Sequence, residues 1–217
     1  MDLVEDVRHA LRNYADPQKA PGMQAYMKSD MPFLGVQKAA RTKALRPVFA
    51  ATGYDHDTLV EAATGLWDGA EYREERYAAL ALLRVPRYRR MITPVDEPLL
   101  RHLITTGAWW DLVDEVATKL VGPLREGLDI RAWAHDDNIW IRRAAIICQV
   151  GHKGRATDRD LLAEVIEANL GDRTFWIAKA IGWALRDYAY AEPLWVSGFV
   201  ADHELAPLSA REATKHL

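Results

Sequence analysis

The sequence predicts an all-α solenoid of stacked helix pairs, and three observations lead to that prediction. No stretch sustains the alternation of apolar and polar residues that marks a half-buried strand. Residues that begin and end helices recur along the chain. Short segments headed by a basic residue also repeat at intervals of 67, 36 and 32 residues. Spacings in the thirties are typical of repeats that contain two helices.

The helix boundaries follow from local chemistry, and we expect about a dozen helices joined by short loops. Asp16-Pro17 and Thr93-Pro94 each combine a capping side chain with a proline suited to the first helical position. Thr157 and Asp160 have the spacing of a capping box. Four glycines fall just after periodic runs, where a left-handed helix end is expected: Gly53, Gly107, Gly151 and Gly171.

The composition predicts one ordinary globular domain over residues 1–217. Apolar residues make up 49% of the chain and charged residues 27%, which excludes the collagen-like and disordered classes. The single cysteine, Cys148, excludes a disulfide framework and fits a reducing cytoplasm. No apolar run approaches the roughly 18 residues of a membrane span, so we expect a cytoplasmic protein without membrane contact. The formal net charge is −3, so nucleic-acid binding would depend on where the cations lie.

The first candidate site lies on the helix predicted over the segment WWDLVD. At about 100° per residue, Trp109 falls on an apolar stripe with Leu112 and Val113 and is expected in the core. Trp110 falls off that stripe, and Asp114 lies beside it one turn later. An indole beside a carboxylate on a polar flank is typical of a binding surface. A helix–helix seam with a salt bridge explains the same pattern.

A pair of arginines in the segment NIWIRRAAI forms the second candidate site. Arg142 falls on the polar side of the predicted helix, whereas Arg143 falls among isoleucines. An unpaired buried charge is costly, so Arg143 needs a partner. That partner is an acidic side chain or an anion such as phosphate, which the guanidinium fork suits.

The third candidate site lies in the segment FWIAKAIGWALRDY. Trp183 falls opposite the apolar stripe, on the same side as Lys179 and Arg186, and Gly182 beside it allows a close approach. Cations next to a flat ring suit a nucleic acid, because they meet its phosphates and its sugars or bases. A cation–π pair between Lys179 and Trp183 is the alternative.

Equivalent positions in successive repeats are expected to line one concave surface. The repeat spacing places a basic or aromatic residue at five such positions: Arg76, Trp110, Arg143, Lys179 and Arg211. Further basic residues cluster in three short segments, within residues 38–46, 84–90 and 152–155. Together these cations predict a polarised molecule despite the acidic net charge, although each group alone is typical of a solvated helix face.

Several other chemistries lack the residues that they need. No two of the seven histidines are three or four positions apart, so we expect no helical zinc site. The chain also has no glycine-rich phosphate loop and no nucleophile elbow. Cys148 falls in an apolar helix and is expected to be a packing residue.

Five separated segments resemble the DNA alkylation repair family of AlkD-type 3-methyladenine and 7-methylguanine DNA glycosylases. The segments are AYMKSDMPFLGVQ, WWDLVD, NIWIRRAAI, KAIGWALRDYA and ELAPLSAREATKH, and the resemblance runs in collinear order from about residue 3 to the end. The resemblance implies a fold of HEAT-like repeats with a concave DNA-binding face. It also implies hydrolysis of the N-glycosidic bond of positively charged alkylated purines in duplex DNA, with the base left in or near the stack. No metal and no cofactor are implied.

The resemblance assigns roles to individual residues. Asp114 corresponds to the catalytic aspartate, and Trp110 and Trp183 correspond to the tryptophans that contact the sugar. Arg143 corresponds to the phosphate-binding arginine, whereas Tyr26 and Gln37 correspond to two further positions that face DNA. With the cations found above, the expected DNA-binding set is Arg143, Tyr26, Gln37, Lys179, Arg186, Arg142 and Arg211. We expect a monomer whose partner is double-stranded DNA with alkylated bases.

Two alternatives stay open beside a monofunctional glycosylase. One is a DNA-binding protein of the same architecture without catalysis, which the presence of Asp114 disfavours. The other is a helical-repeat scaffold for protein partners. A scaffold would be expected to present an apolar groove, whereas Arg143, Lys179 and Arg186 favour a polyanion.

Overall fold

A computed structural model of the protein describes residues 2–50, 53–152, 154 and 156–217. All regular secondary structure in these ranges is helical, and it fits a helical-repeat architecture, so the predicted fold class is confirmed. The chain forms two compact units. The first ends at Ile92, and the second begins at Thr93. The assignment of residues 1–217 to one domain and the concave DNA-binding face stay predictions. No helix in the described ranges is both long and apolar enough to cross a bilayer.

The first unit contains six α-helices in its described residues. They are α1 (Leu3–Arg12), α2 (Ala20–Met27), α3 (Lys38–Ala50), α4 (His56–Asp68), α5 (Arg73–Leu83) and α6 (Pro86–Arg89). Asp2 caps α1 by accepting a hydrogen bond from the Val4 amide. Apolar residues at a spacing of four, Leu3, Val7 and Leu11, bury one face of α1 against the core.

A buried carboxylate holds the segment that leads into α3. The side chain of Glu74 accepts hydrogen bonds of 2.9–3.0 Å from the amides of three successive residues, 34–36. Gly35 has φ +84°, and a Cβ there would lie 2.0 Å from the Asp16 carbonyl oxygen, so only glycine fits this position. Glu74 and Gly35 therefore stabilise the observed conformation of this segment, and Gln37 follows it as an exposed residue.

The second unit contains eight α-helices in its described residues. They are α7 (Glu97–Gly107), α8 (Trp110–Val116), α9 (Ile130–Trp133), α10 (Ile139–Ile147), α11 (Arg159–Glu167), α12 (Phe175–Ala189), α13 (Pro193–Asp202) and α14 (Pro207–Ala213). A π-helical turn, Ala117–Val121, and a 3-10 segment, Gly122–Gly127, continue α8. α12 packs against α10, α13 and α14, so it is the central element of this unit.

The helix boundaries follow the sequence signals in part. Thr93 is the N-cap that the sequence predicts, and it also forms a capping box in which the Asp96 carboxylate accepts a hydrogen bond of 2.8 Å from the Thr93 amide. Asp16 instead caps a turn before α2, and Asp158 rather than Thr157 caps α11. Of the four glycines, Gly53 and Gly151 take the left-handed conformation, whereas Gly171 does not and Gly107 ends α7. Ala108 takes the left-handed position there with φ +37°.

Apolar stripes predicted from periodicity are buried as expected. α12 buries the stripe Ile177, Ala180, Ile181, Ala184, Leu185 and Tyr188. Cys148 is fully buried at the end of α10, where burial raises the pKa of its thiol to about 12. It is therefore a packing residue, as the sequence predicted.

Gly182 sets how closely α12 and α14 approach each other. A Cβ at Gly182 would lie 2.5 Å from the Glu212 Cβ and 3.0 Å from the Ser209 carbonyl oxygen. Ser209 is buried at this contact, and its hydroxyl donates to the Ala178 carbonyl across 2.9 Å. The space that Gly182 leaves beside Trp183 is therefore occupied by α14.

Gly182→Ala is expected to force α12 and α14 apart. Because the nearest atoms belong to a backbone and a Cβ, they cannot rotate away, and overpacking of this kind costs roughly 1–3 kcal/mol. Gly198, on α13, is the matched control, since a Cβ there meets nothing within 4 Å. Gly198→Ala should raise the free energy of unfolding by about 0.5–1 kcal/mol. Urea denaturation of both variants tests this account, and equal effects would contradict it.

Candidate active site

An open cavity of about 430 Å³ lies in the second unit. α8, α10, α12 and α14 each contribute at least one side chain to its wall. Its lining combines aromatic rings with charged groups: Trp110, Asp114, Arg143, Phe175, Trp176, Lys179, Trp183, Arg186 and Glu212. Three separate candidate sites of the sequence analysis thus meet in one place.

Asp114 and Arg143 form a two-bond ion pair in the wall of the cavity. Arg143 Nε donates to Asp114 Oδ1 across 2.7 Å, and Nη2 donates to Oδ2 across 2.8 Å. A third bond of 2.7 Å runs from Arg143 Nη1 to the Trp176 carbonyl. The sequence left two possible partners for Arg143, an acidic side chain or an anion such as phosphate. The structure shows an acidic side chain, Asp114.

The ion pair lies almost out of reach of water. The side chain of Arg143 is 5% exposed and that of Asp114 is 15% exposed, so Asp114 is the more accessible of the two, although both line the cavity. Burial raises the pKa of Asp114, and this effect exceeds the lowering by the Arg143 guanidinium. The arrangement therefore yields a carboxylate with a fixed orientation and little solvation, which is the state in which a carboxylate interacts most strongly with a nearby cation.

Trp110 and Trp183 both line the cavity and are half-buried, as their off-stripe positions predicted. The prediction that Trp109 lies on the stripe of the same helix is wrong, because α8 begins one residue later and Trp109 is its extended N-cap residue. Its ring packs beside Trp140 and Trp176 at centroid distances of 6.4 and 5.2 Å. Because Trp176 itself lines the cavity, this aromatic cluster forms part of the cavity wall.

Glu212 is a site residue that the sequence analysis missed. Its side chain is 6% exposed, and three cations surround it: Lys179 at 3.3 Å, Arg186 at 2.6 Å and Lys215 at 2.7 Å. Hydrogen bonds from Lys215 and Lys179 hold the pKa of Glu212 down to about 2 despite its burial. Glu212 is therefore an ionised carboxylate at neutral pH.

The remaining predicted site residues lie outside the cavity lining. Arg142 donates to the Asp136 and Asp137 carbonyls and to the Asp172 carboxylate, so its guanidinium ties the start of α10 in place. Arg211 is exposed on α14, one position from the lining residue Glu212.

Arg76, Tyr26 and Gln37 belong to the first unit. Arg76 lies against the Trp67 ring, with its guanidinium 5.1 Å from the ring centroid, whereas Tyr26 on α2 is 76% exposed. Lys153 and Arg155, in the basic segment 152–155, lie outside the described residues. Within the described ranges, no group of three or more His, Cys, Asp or Glu side chains is arranged to hold a metal ion.

The fold and the cavity define an all-α repeat protein in which aromatic rings, ionised carboxylates and cations share one site. The family model described as "DNA alkylation repair enzyme" matches residues 7–217. The chain belongs to the DNA alkylation repair enzyme family, which confirms the resemblance found in the sequence. Membership in this family implies DNA as the partner.

One solved structure extends this similarity to three dimensions. It is described as "Predicted DNA alkylation repair enzyme from Enterococcus faecalis" and is 27% identical to this chain. The alignment has a TM-score of 0.83 and covers 94% of this chain and 96% of that chain. No curated protein matches the chain significantly.

The neighbouring arginines of α10 offer a test of the buried ion pair. Arg143→Ala leaves the Asp114 carboxylate buried without its partner, and a loss of this kind costs roughly 3–5 kcal/mol. Arg142→Ala breaks a pair whose side chains are 20% and 22% exposed, so solvent screening reduces its cost to about 1 kcal/mol. Urea denaturation should separate the two variants clearly. Equal losses in the free energy of unfolding would show that the Asp114–Arg143 pair contributes no more to stability than the Arg142–Asp172 pair.

Proposed function

We propose that the protein is a monofunctional DNA N-glycosylase that hydrolyses the N-glycosidic bond of positively charged alkylated purines in duplex DNA. The observation that carries the proposal is the Asp114 carboxylate, held by Arg143 in a cavity that Trp110 and Trp183 also line. Membership in a DNA alkylation repair family supports the substrate class.

The chemistry of such a substrate matches the groups that the cavity provides. A purine alkylated at N3 or N7 already carries a positive charge, so it can leave without protonation by a general acid. As the bond breaks, the deoxyribose develops the character of an oxocarbenium ion. A poorly solvated carboxylate stabilises that cation and accepts a hydrogen bond from the attacking water, and Asp114 is assigned both tasks.

The aromatic walls have a role in the same step. The faces of the Trp110 and Trp183 indoles carry a negative quadrupole, which attracts a positive sugar through the cation–π effect. A second carboxylate would also attract the positive sugar, but it would form an ion pair with a nearby cation that would have to be broken first. An indole attracts the sugar without such an ion pair. Two indoles and one anion therefore favour the cationic transition state more than the neutral sugar of the ground state.

We assign Arg143 a second role beside the phosphate contact that the resemblance implies. Its bonds to both oxygens of Asp114 support a role as a positioning residue for the carboxylate. An arginine retains further N–H groups after three bonds, so a phosphate contact by Arg143 stays part of the proposal. Tyr26, Gln37, Arg142 and Arg211 as DNA contacts also stay proposals, as do retention of the base in the stack, the monomeric state and the cytoplasmic location.

Methylated duplex DNA provides the direct test of this function. The wild-type protein is expected to release 3-methyladenine or 7-methylguanine in a single-turnover assay. Asp114→Asn keeps the shape of the side chain but removes its charge, and should slow release by about 10²–10³-fold, the usual cost of losing one electrostatic stabiliser. Binding of the duplex should stay within a few-fold of the wild type.

Asp111→Asn is the matched control, because Asp111 lies one turn earlier on α8 and outside the cavity lining. It should release bases at nearly the wild-type rate. If wild-type protein binds duplex DNA but releases no base, the non-catalytic alternative is correct. If it does not bind duplex DNA in a salt-dependent manner, the scaffold alternative is favoured.

A further inference from the structure

We propose that Lys179 and Arg186 form a binding site for one backbone phosphodiester of the damaged strand, and that Glu212 is the positioning residue of this site. The inference rests on the proposed function, because it assigns the DNA group that fixes the sugar next to Asp114. It adds Glu212, a residue to which the sequence analysis assigned no role.

Lys179 and Arg186 are more exposed to the cavity than the Glu212 carboxylate that they bind. Lys179 and Arg186 lie about two helical turns apart on α12, and both line the cavity with side chains that are 37% and 26% exposed. Glu212 approaches them from α14 and is nearly buried. A phosphate in the cavity therefore meets the two cations first, while the carboxylate lies behind them.

Two contacts between α12 and α14 fix the position of Glu212. The absence of a side chain at Gly182 lets the Glu212 Cβ approach the α12 backbone, and the hydrogen bond from Ser209 to Ala178 fixes α14 one turn earlier. Long cationic side chains lose conformational entropy when they bind a ligand. A buried carboxylate that already restricts Lys179 and Arg186 removes part of this cost before the DNA binds.

The charges that line the cavity leave room for one phosphodiester. Three cations (Arg143, Lys179 and Arg186) and two carboxylates (Asp114 and Glu212) give a net charge of +1. Arg143 is committed to Asp114, so the excess positive charge lies on the group around Glu212. One bound phosphodiester, with a charge of −1, balances the charge of these five lining groups, whereas Lys215, the third cation on Glu212, lies outside the lining.

The variant Glu212→Gln distinguishes a role in positioning the bound DNA from a role in attracting it by charge. The change removes a negative charge, so the affinity for duplex DNA should stay within a few-fold or rise. Excision in a single turnover should nevertheless fall by at least about 10-fold, because a displacement of about 1 Å in the bound substrate can cost 10²-fold in rate. A loss of rate without a loss of affinity is the expected signature.

Ser209→Ala controls for a general weakening of the contact between α12 and α14. It removes a buried hydrogen bond at the same contact but leaves the charges in place. Both variants are compared by melting temperature and by single-turnover excision. If Glu212→Gln excises at the wild-type rate, or loses rate no more than Ser209→Ala does at an equal loss of stability, the positioning role is wrong.

A second pair of variants tests the phosphate site without any reference to catalysis. Lys179→Met and Lys215→Met each remove one cation from the same Glu212 oxygen, but only Lys179 lines the cavity. Binding of undamaged duplex DNA is measured over a range of salt concentrations. Lys179→Met should reduce the slope of log K against log salt by about 0.9, the value for one phosphate, and Lys215→Met should leave it unchanged.

Equal slopes for the two lysine variants would overturn the phosphate site. This result is independent of base release, so it can be separated from a failure of the proposed function. If the wild type releases no base but Lys179→Met alone changes the slope, the phosphate site stands and the glycosylase proposal falls.

Discussion

The buried Arg143 guanidinium is the constraint on which the second unit depends. It lies almost wholly out of solvent on α10, so it must be compensated, and it takes Asp114 from α8 and a backbone carbonyl from α12 as partners. These three bonds connect three helices. An ion pair of this kind contributes little net stability compared with apolar packing, but it is strongly destabilising to break, so it specifies one arrangement of the helices. That arrangement places Asp114 at the wall of the cavity.

The two carboxylates that line the cavity differ in their pKa because their surroundings differ. Asp114 has one cationic partner and a poorly solvated position, and burial raises its pKa. Glu212 has three cationic partners, and the hydrogen bonds from two of them, Lys215 and Lys179, lower its pKa to about 2. Asp114 therefore interacts with whatever positive charge enters the cavity, whereas the charge of Glu212 is already satisfied by side chains. The difference supports a reactive role for the first and a positioning role for the second.

Much of the site could be predicted from helix geometry. Trp110, Asp114 and Trp183 lie off the apolar stripes, and all three line the cavity. Glu212 was missed because its role depends on contacts between two helices, which the spacing within one helix does not reveal. α14 has only seven residues, and a shift of one position there rotates a side chain by about 100°, which separates the exposed Arg211 from the buried Glu212. The error at Trp109 has a similar origin, because the first residue of a helix is the least certain feature of a periodic pattern.

The pH dependence of base release is the most direct test of the account. Asp114 acts as an anion, so the single-turnover rate should be constant at neutral pH and should fall as the pH drops through its pKa. Burial raises that pKa, so the midpoint of the fall should lie above the ordinary aspartate value of about 3.9. The measurement uses wild-type protein and duplex DNA that contains 7-methylguanine. A rate that stays constant down to about pH 4, or one that rises on acidification as protonation of the purine by a general acid would require, would contradict the central role of the Asp114 carboxylate.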